Sequence, residues 1–201
     1  EPLKIYGSTN FAAGGALLVG NGTANGIQMQ NTRNVEIYDL RITQARNGVD
    51  LQNVSSAKMQ GLELFNNRTN GVVVDGSSGI LLQNARLWAN RAYGYECKNK
   101  GGDRIVNCTF WGNTLGAVRT EKGIVVSNSI LSATNATPIY TEESQAANVS
   151  GDYNLYGLVP GAPLATNGFE KAVYANLSRW QGKNRDLRSF LADPLFVNPA
   201  N

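Results

Sequence analysis

Five stretches decide the fold: "NGIQMQ" at 25–30, "NGVDLQ" at 47–52, "NGVVVD" at 70–75, "YGYECK" at 93–98 and "LGAVRT" at 115–120. Their glycines, Gly26, Gly48, Gly71, Gly94 and Gly116, recur every 22 or 23 residues. A second family of segments lies between them: "NVEIYDLRI" from 34, "AKMQGLEL" from 57, "GILLQNARL" from 79, "RIVNCTF" from 104 and "GIVVSNSIL" from 123. Apolar residues alternate with polar ones in these segments. They are short and poor in helix formers, so each repeat carries two or more β-strands joined by Asn/Gly turns. Such a repeat cannot bury its apolar face alone. Neighbours must stack into a solenoid, with equivalent strands forming continuous parallel sheets at roughly 4.8 Å per coil.

Stacking assigns the core. Val49 and Leu51, Val72 and Val74, and Tyr95 and Cys97 should face inward in one sheet. Leu40/Ile42, Leu62/Leu64, Ala85/Leu87, Cys108/Phe110 and Ser129/Leu131 form a second inward column. Asn67, Asn90 and Asn113 recur 23 apart, and Asn84, Asn107 and Asn128 recur similarly. In-register amides can hydrogen-bond from coil to coil, a structural role.

Composition narrows the chemistry. The 201 residues are 42% hydrophobic with a net charge of +3, and they contain 22 Gly and about two dozen Asn. No run of like charge points to nucleic acid, and no apolar run reaches membrane-spanning length. The chain has no histidine. That excludes a Ser-His-Asp triad, a Cys-His pair and His-ligated metal, and leaves carboxylates, Lys, Arg, Tyr or a calcium ion. Two cysteines, Cys97 and Cys108, fall at inward positions, and the sequence does not decide whether they pair. Seven Asn-x-Ser/Thr sequons occur, at Asn21, Asn53, Asn67, Asn107, Asn135, Asn148 and Asn176, as chance produces in so Asn-rich a chain.

The coil of 22 to 23 residues, the Asn-Gly before each strand and the Asn ladder resemble the right-handed parallel β-helix proteins of the pectate-lyase-like superfamily, over at least residues 25–156. A left-handed hexapeptide helix has a period of 18 and does not fit. The tail "SRWQGKNRDLRSFLADPLFVNPAN", 178–201, resembles the closing segment of secreted bacterial β-helix repeat proteins. The expected fold is therefore all-β: a single-stranded, right-handed parallel β-helix of about six coils over 1–156, with a C-terminal segment at 157–201. In that segment "LVPGAPLATNG" reads as a loop, "ANLSRWQGK" as a short helix and "ADPLFVNP" as an extended stretch packed on the coils. The resemblance also implies a natural chain longer than this one and an extracellular location.

Outward positions carry the candidate chemistry. The second residue after each glycine reads Gln28, Asp50, Val73, Glu96, Val118, and the fourth reads Gln30, Gln52, Asp75, Lys98, Thr120. Asp50, Asp75, Glu96 and Lys98 share one patch, on the face where the superfamily places its substrate cleft. Strict alternation turns Arg119 inward unless the register shifts. The segment "ECKNKGGDRIVNCTF…GAVRT" loosely resembles alginate and chondroitin lyases of β-helix fold, which place a catalytic Lys about one coil before an Arg; Lys98 and Arg119 match. Those lyases bind calcium through two acids just before the Lys, whereas only Glu96 is close here and Asp75 lies a coil earlier.

A rival reading is hydrolysis by paired carboxylates, since Asp50 and Glu96 would stand roughly 9–10 Å apart by strand spacing. Asp50, Tyr93, Trp88 and Trp111 are the candidate sugar-binding residues, the two tryptophans as a ring platform or as packing. Lys100 and Asp103 read as a solvated turn, and Arg41, Glu63 and Arg86 as a surface charge ladder. The expected function is binding or cleavage of an acidic polysaccharide, lyase chemistry ahead of inverting hydrolysis. The alternative is a non-catalytic structural or adhesive surface solenoid.

Overall fold

A computed structural model describes residues 2–8, 15–133, 137–142, 149–158, 161–168, 171–182 and 185–195. Among the described residues three sheets run along the molecule, one of seven strands and two of eight, and apart from Ala172–Tyr174, which pairs antiparallel, the strands pair in parallel with their equivalents one coil away. The first sheet includes Arg33–Tyr38, Ser55–Gln60, Ser78–Gln83 and Asp103–Val106; the second includes Leu40–Thr43, Glu63–Phe65, Arg86–Trp88 and Thr109–Asn113. The third holds the glycine-led strands Ile27–Gln30, Val49–Gln52, Val72–Asp75, Tyr93–Lys98 and Gly116–Thr120. The chain thus makes about six turns of an all-β parallel solenoid.

Each segment of the second family is two strands, split by one residue in the left-handed region. Asp39, Asn84, Asn107 and Asn128 hold φ between 51° and 54° there, a conformation that Asn and Asp tolerate better than other side chains. The corner aims alternate residues of both flanking strands at the axis. The repeating glycines answer a different need. A Cβ on Gly48 would sit 2.6 Å from the carbonyl oxygen of Gly71, and one on Gly71 would sit 2.6 Å from that of Gly94. Only glycine lets consecutive coils approach this closely at the entrance to the third sheet.

The inward columns hold as expected. Val49, Leu51, Val72, Val74, Tyr95 and Cys97 are fully buried, as are Ile42, Leu64, Leu87, Phe110 and Leu131 in the second sheet. Asn67, Asn90 and Asn113 are also fully buried. Asn67 Nδ2 donates to Asn90 Oδ1 at 2.9 Å and Asn90 Nδ2 to Asn113 Oδ1 at 2.9 Å, while each accepting oxygen also takes the backbone N–H of the preceding Asn at 3.1 Å. The exposed ladder is weaker, with Asn107 Nδ2 at 3.4 Å from Asn84 Oδ1. Cys97 and Cys108 are both buried free thiols. Burial pushes the Cys97 pKa up, and that of Cys108 up to about 12.

Two expectations are corrected. Asp103 is not part of a solvated turn: it opens the strand Asp103–Val106 fully buried, in the inward column between Ile80 and Ile124. It accepts from Tyr95 Oη at 2.8 Å and from the Ile80 N–H at 3.1 Å, because Tyr95 brings a hydroxyl where Val72 and Val118 stand in adjacent coils. Burial raises the Asp103 pKa above the ordinary carboxyl value, against the hydrogen bonds from Tyr95 and Ile80. Lys100 stays exposed in the turn. Within "LVPGAPLATNG", Ala165–Asn167 is a strand of the third sheet, paired in parallel with Ile139–Thr141 and antiparallel with Ala172–Tyr174. Its alternation of buried Ala165 and Asn167 around Thr166 continues the coil beyond residue 157.

The C-terminal segment packs on the strands before it. Leu177–Gln181 is a short helix capped by Asn176, whose Oδ1 accepts from the Arg179 N–H at 3.1 Å. Its Trp180 is fully buried and donates from Nε1 to Asp186 Oδ2 at 2.5 Å. Asp186 also accepts from Tyr156 Oη at 3.0 Å and Asn154 Nδ2 at 2.6 Å, tying the last coil to the tail. Phe190–Leu191 then adds to the second sheet beside Leu155 and Tyr156. Residues 196–199 of the expected extended stretch, and the sequons at Asn135 and Asn148, lie outside the described residues. Among the described residues no helix is long and apolar enough to cross a membrane.

Candidate functional site

The outer face of the third sheet is a set of columns one residue wide. Asp50, Val73, Glu96 and Arg119 are successive partners in one column, and Gln52, Asp75 and Lys98 form the next. The expected partner Val118 is corrected here. Tyr93 pairs with Gly116 and Tyr95 with Val118, so the strand step stays at 23 residues although the glycine step is 22. Gly116 has slipped one place, Val118 and Thr120 turn inward and are fully buried, and Arg119 emerges beside Glu96. A shift of one residue exchanges the two faces of a strand, which is why alternation counted from the glycine failed.

Asp50, Asp75, Glu96 and Lys98 line one groove of about 300 Å³. Turn residues Arg46, Asn47, Thr69 and Asn70 form its side. Sequence reasoning missed these; the signal was the Asn-Gly pair repeated at 25, 47 and 70, taken only as a glycine motif. Asn25, Asn47 and Asn70 form a second ladder: Asn25 Oδ1 accepts from Asn47, Asn47 Oδ1 from the Asn70 N–H, and Asn70 Oδ1 from the Tyr93 N–H. Their free amide hydrogens reach the acids. Asn25 Nδ2 donates to Asp50 Oδ2 at 2.9 Å, and Asn70 Nδ2 to Glu96 Oε2 at 3.0 Å.

Glu96 is the centre of the charge arrangement. Its Oε1 takes Arg119 Nη1 at 2.7 Å, and Lys98 Nζ stands 3.3 Å from its Oε2. Arg119 Nη2 also bonds Glu121 at 3.1 Å and Glu142 at 2.6 Å. Burial opposes the Arg119 charge, yet Glu142, Glu96 and Glu121 overcome it and raise its pKa above the ordinary guanidinium value. Arg119 is therefore a fixed cation and no proton acceptor. Glu121 and Glu142 went unnoticed in the sequence because the slip at Gly116 hid the column that leads to them.

The remaining candidates lie apart from the groove. Tyr93 is half-buried at the start of its strand, its pKa raised by burial, and the groove lining does not include it. Trp88 and Trp111 stand on the second sheet. Trp88 stacks on Phe65 with centroids 4.7 Å apart and planes 7° from parallel, and Trp111 follows at 6.3 Å. Trp88 Nε1 donates to Glu63 Oε1 at 3.3 Å, and Arg41 lies over the Phe65 ring. The Phe65 and Trp88 faces stack on one another, while Trp111 is tilted by 37° from Trp88. Arg41, Glu63 and Arg86 are the surface charge column, with Arg41 Nε 2.5 Å and Arg86 Nη2 3.5 Å from Glu63.

The donor set does not fit a calcium ion. Asp75 accepts from Asn99 Nδ2 at 2.6 Å, both Glu96 oxygens already serve cations and an amide, and among the described residues no group of three or more Asp, Glu or Cys gathers as a metal site.

The crystal structure of a periplasmic alginate epimerase, AlgG, superimposes with a TM-score of 0.54 at 11% identity, covering 94% of this chain and 54% of that one. The chain spans about half the length of that structure. The A-module of the Azotobacter vinelandii mannuronan C-5 epimerase AlgE6 gives a TM-score of 0.43 at 12% identity, covering 86% and 64%. No curated protein matches the sequence. Residues 25–158 match the family described as the right-handed β-helix region, and with two thirds of its length in that match the chain belongs to this family.

Proposed function

We propose that the groove on the third sheet binds an acidic polysaccharide outside the cytoplasm and cleaves it by β-elimination at a uronic-acid residue. One observation carries the reading: Lys98 and three carboxylates gather in a single groove of about 300 Å³ on the outer face, with Arg119 joined to them through Glu96. Elimination breaks the C5–H bond and the C4–O bond of a uronate, forms the C4–C5 double bond and returns a proton to the leaving oxygen. It needs one proton acceptor, one proton donor and positive potential near the carboxylate that stabilises the C5 anion.

Lys98, about one-third exposed at its side chain, is the proton-transfer group that reaches the groove, and Asp75, its partner one coil back, is the second. Arg119 supplies fixed positive charge, and Asp50 hydrogen-bonds sugar hydroxyls. Inverting hydrolysis by Asp50 and Glu96 is less well served: Glu96 already accepts from Arg119 and Asn70, which leaves no oxygen free to hand a proton to a glycosidic bond. AlgG, which shares the fold, is an alginate epimerase, consistent in substrate class with this reading.

Incubation with alginate, pectate, chondroitin and neutral glycans tests the proposal. Lyase action releases an unsaturated uronide that absorbs in the ultraviolet, and Lys98→Ala lowers that rate by about a hundredfold or more. An unchanged rate in Lys98→Ala removes the lyase assignment, and reducing ends without ultraviolet absorbance replace it with hydrolysis. A second reading, the non-catalytic solenoid, is favoured by one fact: Asp50 and Glu96 are each satisfied by ladder amides. It predicts no product from any polymer.

A further inference from the structure

We infer that Arg46, on the side of the groove formed by the turns, is the residue that receives a uronate carboxylate and so sets the preference for acidic over neutral glycan; this rests on the reading of the groove as a polysaccharide site. Two cations line the groove, Arg46 and Lys98. Lys98 is 3.3 Å from Glu96, so its charge is largely answered within the protein, and Arg119 behind it is shared among three carboxylates. Arg46 is different. Among the described residues it makes no ion pair and its side chain makes no hydrogen bond, although it is exposed beside Asp50 and Asp75 in the groove lining. A cation without an internal partner keeps its full attraction for a ligand anion, whereas a paired one must first give up its partner.

The backbone explains why the guanidinium has room. Arg46 belongs to a turn column read coil by coil through backbone hydrogen bonds: the Arg46 N–H donates to Ala24 O, the Thr69 N–H to Arg46 O and the Ala92 N–H to Thr69 O. The neighbours on either side, Ala24 and Thr69, are short, and Thr69 Oγ1 is turned back to the Arg46 carbonyl. The short side chains of Ala24 and Thr69 leave the Arg46 side chain exposed at the groove lining. A planar guanidinium offers paired donors that match the two oxygens of a carboxylate, which a lysine in the same place does not.

The test is binding of alginate and oligogalacturonate oligomers, each beside its carboxyl-reduced form, to the wild-type chain and to Arg46→Ala, Arg46→Lys and Lys98→Ala. Arg46→Ala is expected to weaken binding of the carboxylated oligomers by about tenfold while leaving the reduced oligomers unchanged. Arg46→Lys falls between, and Lys98→Ala loses less affinity than Arg46→Ala. Arg46 is exposed, so its two variants should melt as the wild type does. Wild-type binding that survives in Arg46→Ala overturns this inference and leaves the proposed function standing. A wild-type chain that binds no carboxylated oligomer overturns the proposed function itself, and Arg46 with it.

Discussion

The Asn67, Asn90 and Asn113 ladder and the Asn25, Asn47 and Asn70 ladder use one residue type at almost one spacing, on either side of the same turn. In the first, every amide ends on the next Asn or on a backbone carbonyl: Asn90 Nδ2 also reaches Leu64 O at 3.0 Å, and Asn113 Nδ2 reaches Leu87 O at 2.8 Å. It is closed and fully buried. In the second, Asn25 and Asn70 point amide hydrogens at Asp50 and Glu96, which face the groove. Identical chemistry becomes scaffold or site according to whether its last hydrogen bond falls on the backbone or on an outward acid.

The sharpest way to break this comparison is Asn90→Ala. It removes partners from the Asn67 amide, the Asn67 N–H and the Leu64 carbonyl in a fully buried place, and the expected loss is about 3 kcal/mol of stability in urea unfolding. Asn70→Ala should cost less stability, about 1–2 kcal/mol, because its site is closer to water. Unlike Asn90→Ala, it should also weaken glycan binding, read by titration at equal folded fraction, because Glu96 loses its amide donor. Equal effects on binding from both variants would erase the distinction.

The smallest effect comes from the inside of the groove strand, where Tyr95 and Cys97 alternate with Glu96 and Lys98. Asp103 has its native pKa raised by burial, so its stabilising contribution is complete below the ordinary carboxyl pKa and is lost as pH rises through the native value. Tyr95 and Cys97, the titratable groups facing it, have pKa values raised further by their own burial and stay protonated across that window. The urea midpoint of the wild type should therefore fall with rising pH relative to Asp103→Asn. Parallel midpoints in the two proteins would show that Asp103 does not titrate on folding.

Periodicity made the fold legible. Gly26, Gly48, Gly71 and Gly94 mark real coil entrances, and the inward columns counted from them are buried. The same count failed wherever one residue departed from it. At Gly116 the backbone kept its 23-residue step while the glycine moved, so Val118 was placed on the outer face that Arg119 occupies, through the register shift on which its outward direction depended. Asp103 looked like turn composition because it follows "KNKGG", and its partner, the Tyr95 hydroxyl, is eight residues back along the chain but across the core. Arg46 left no pattern at all, since its importance comes from the shortness of Ala24 and Thr69 in neighbouring coils. Pairings one coil apart can be read from sequence; the direction of a long side chain over a turn cannot.

The Asp186 closure bears on how the chain assembles as it is synthesised. Ladder contacts join residues about 22 to 26 apart, so each rung can lock soon after its predecessor. One contact is an exception: Asn154 Nδ2 donates to the earlier Val126 carbonyl at 2.8 Å, but its second acceptor and that of the Tyr156 hydroxyl come 32 and 30 residues later, at Asp186. A growing chain that has emerged as far as the helix at Leu177–Gln181 holds both donors but not yet their shared acceptor. Docking of the segment after residue 176 on the strands before it therefore waits for Asp186 to arrive.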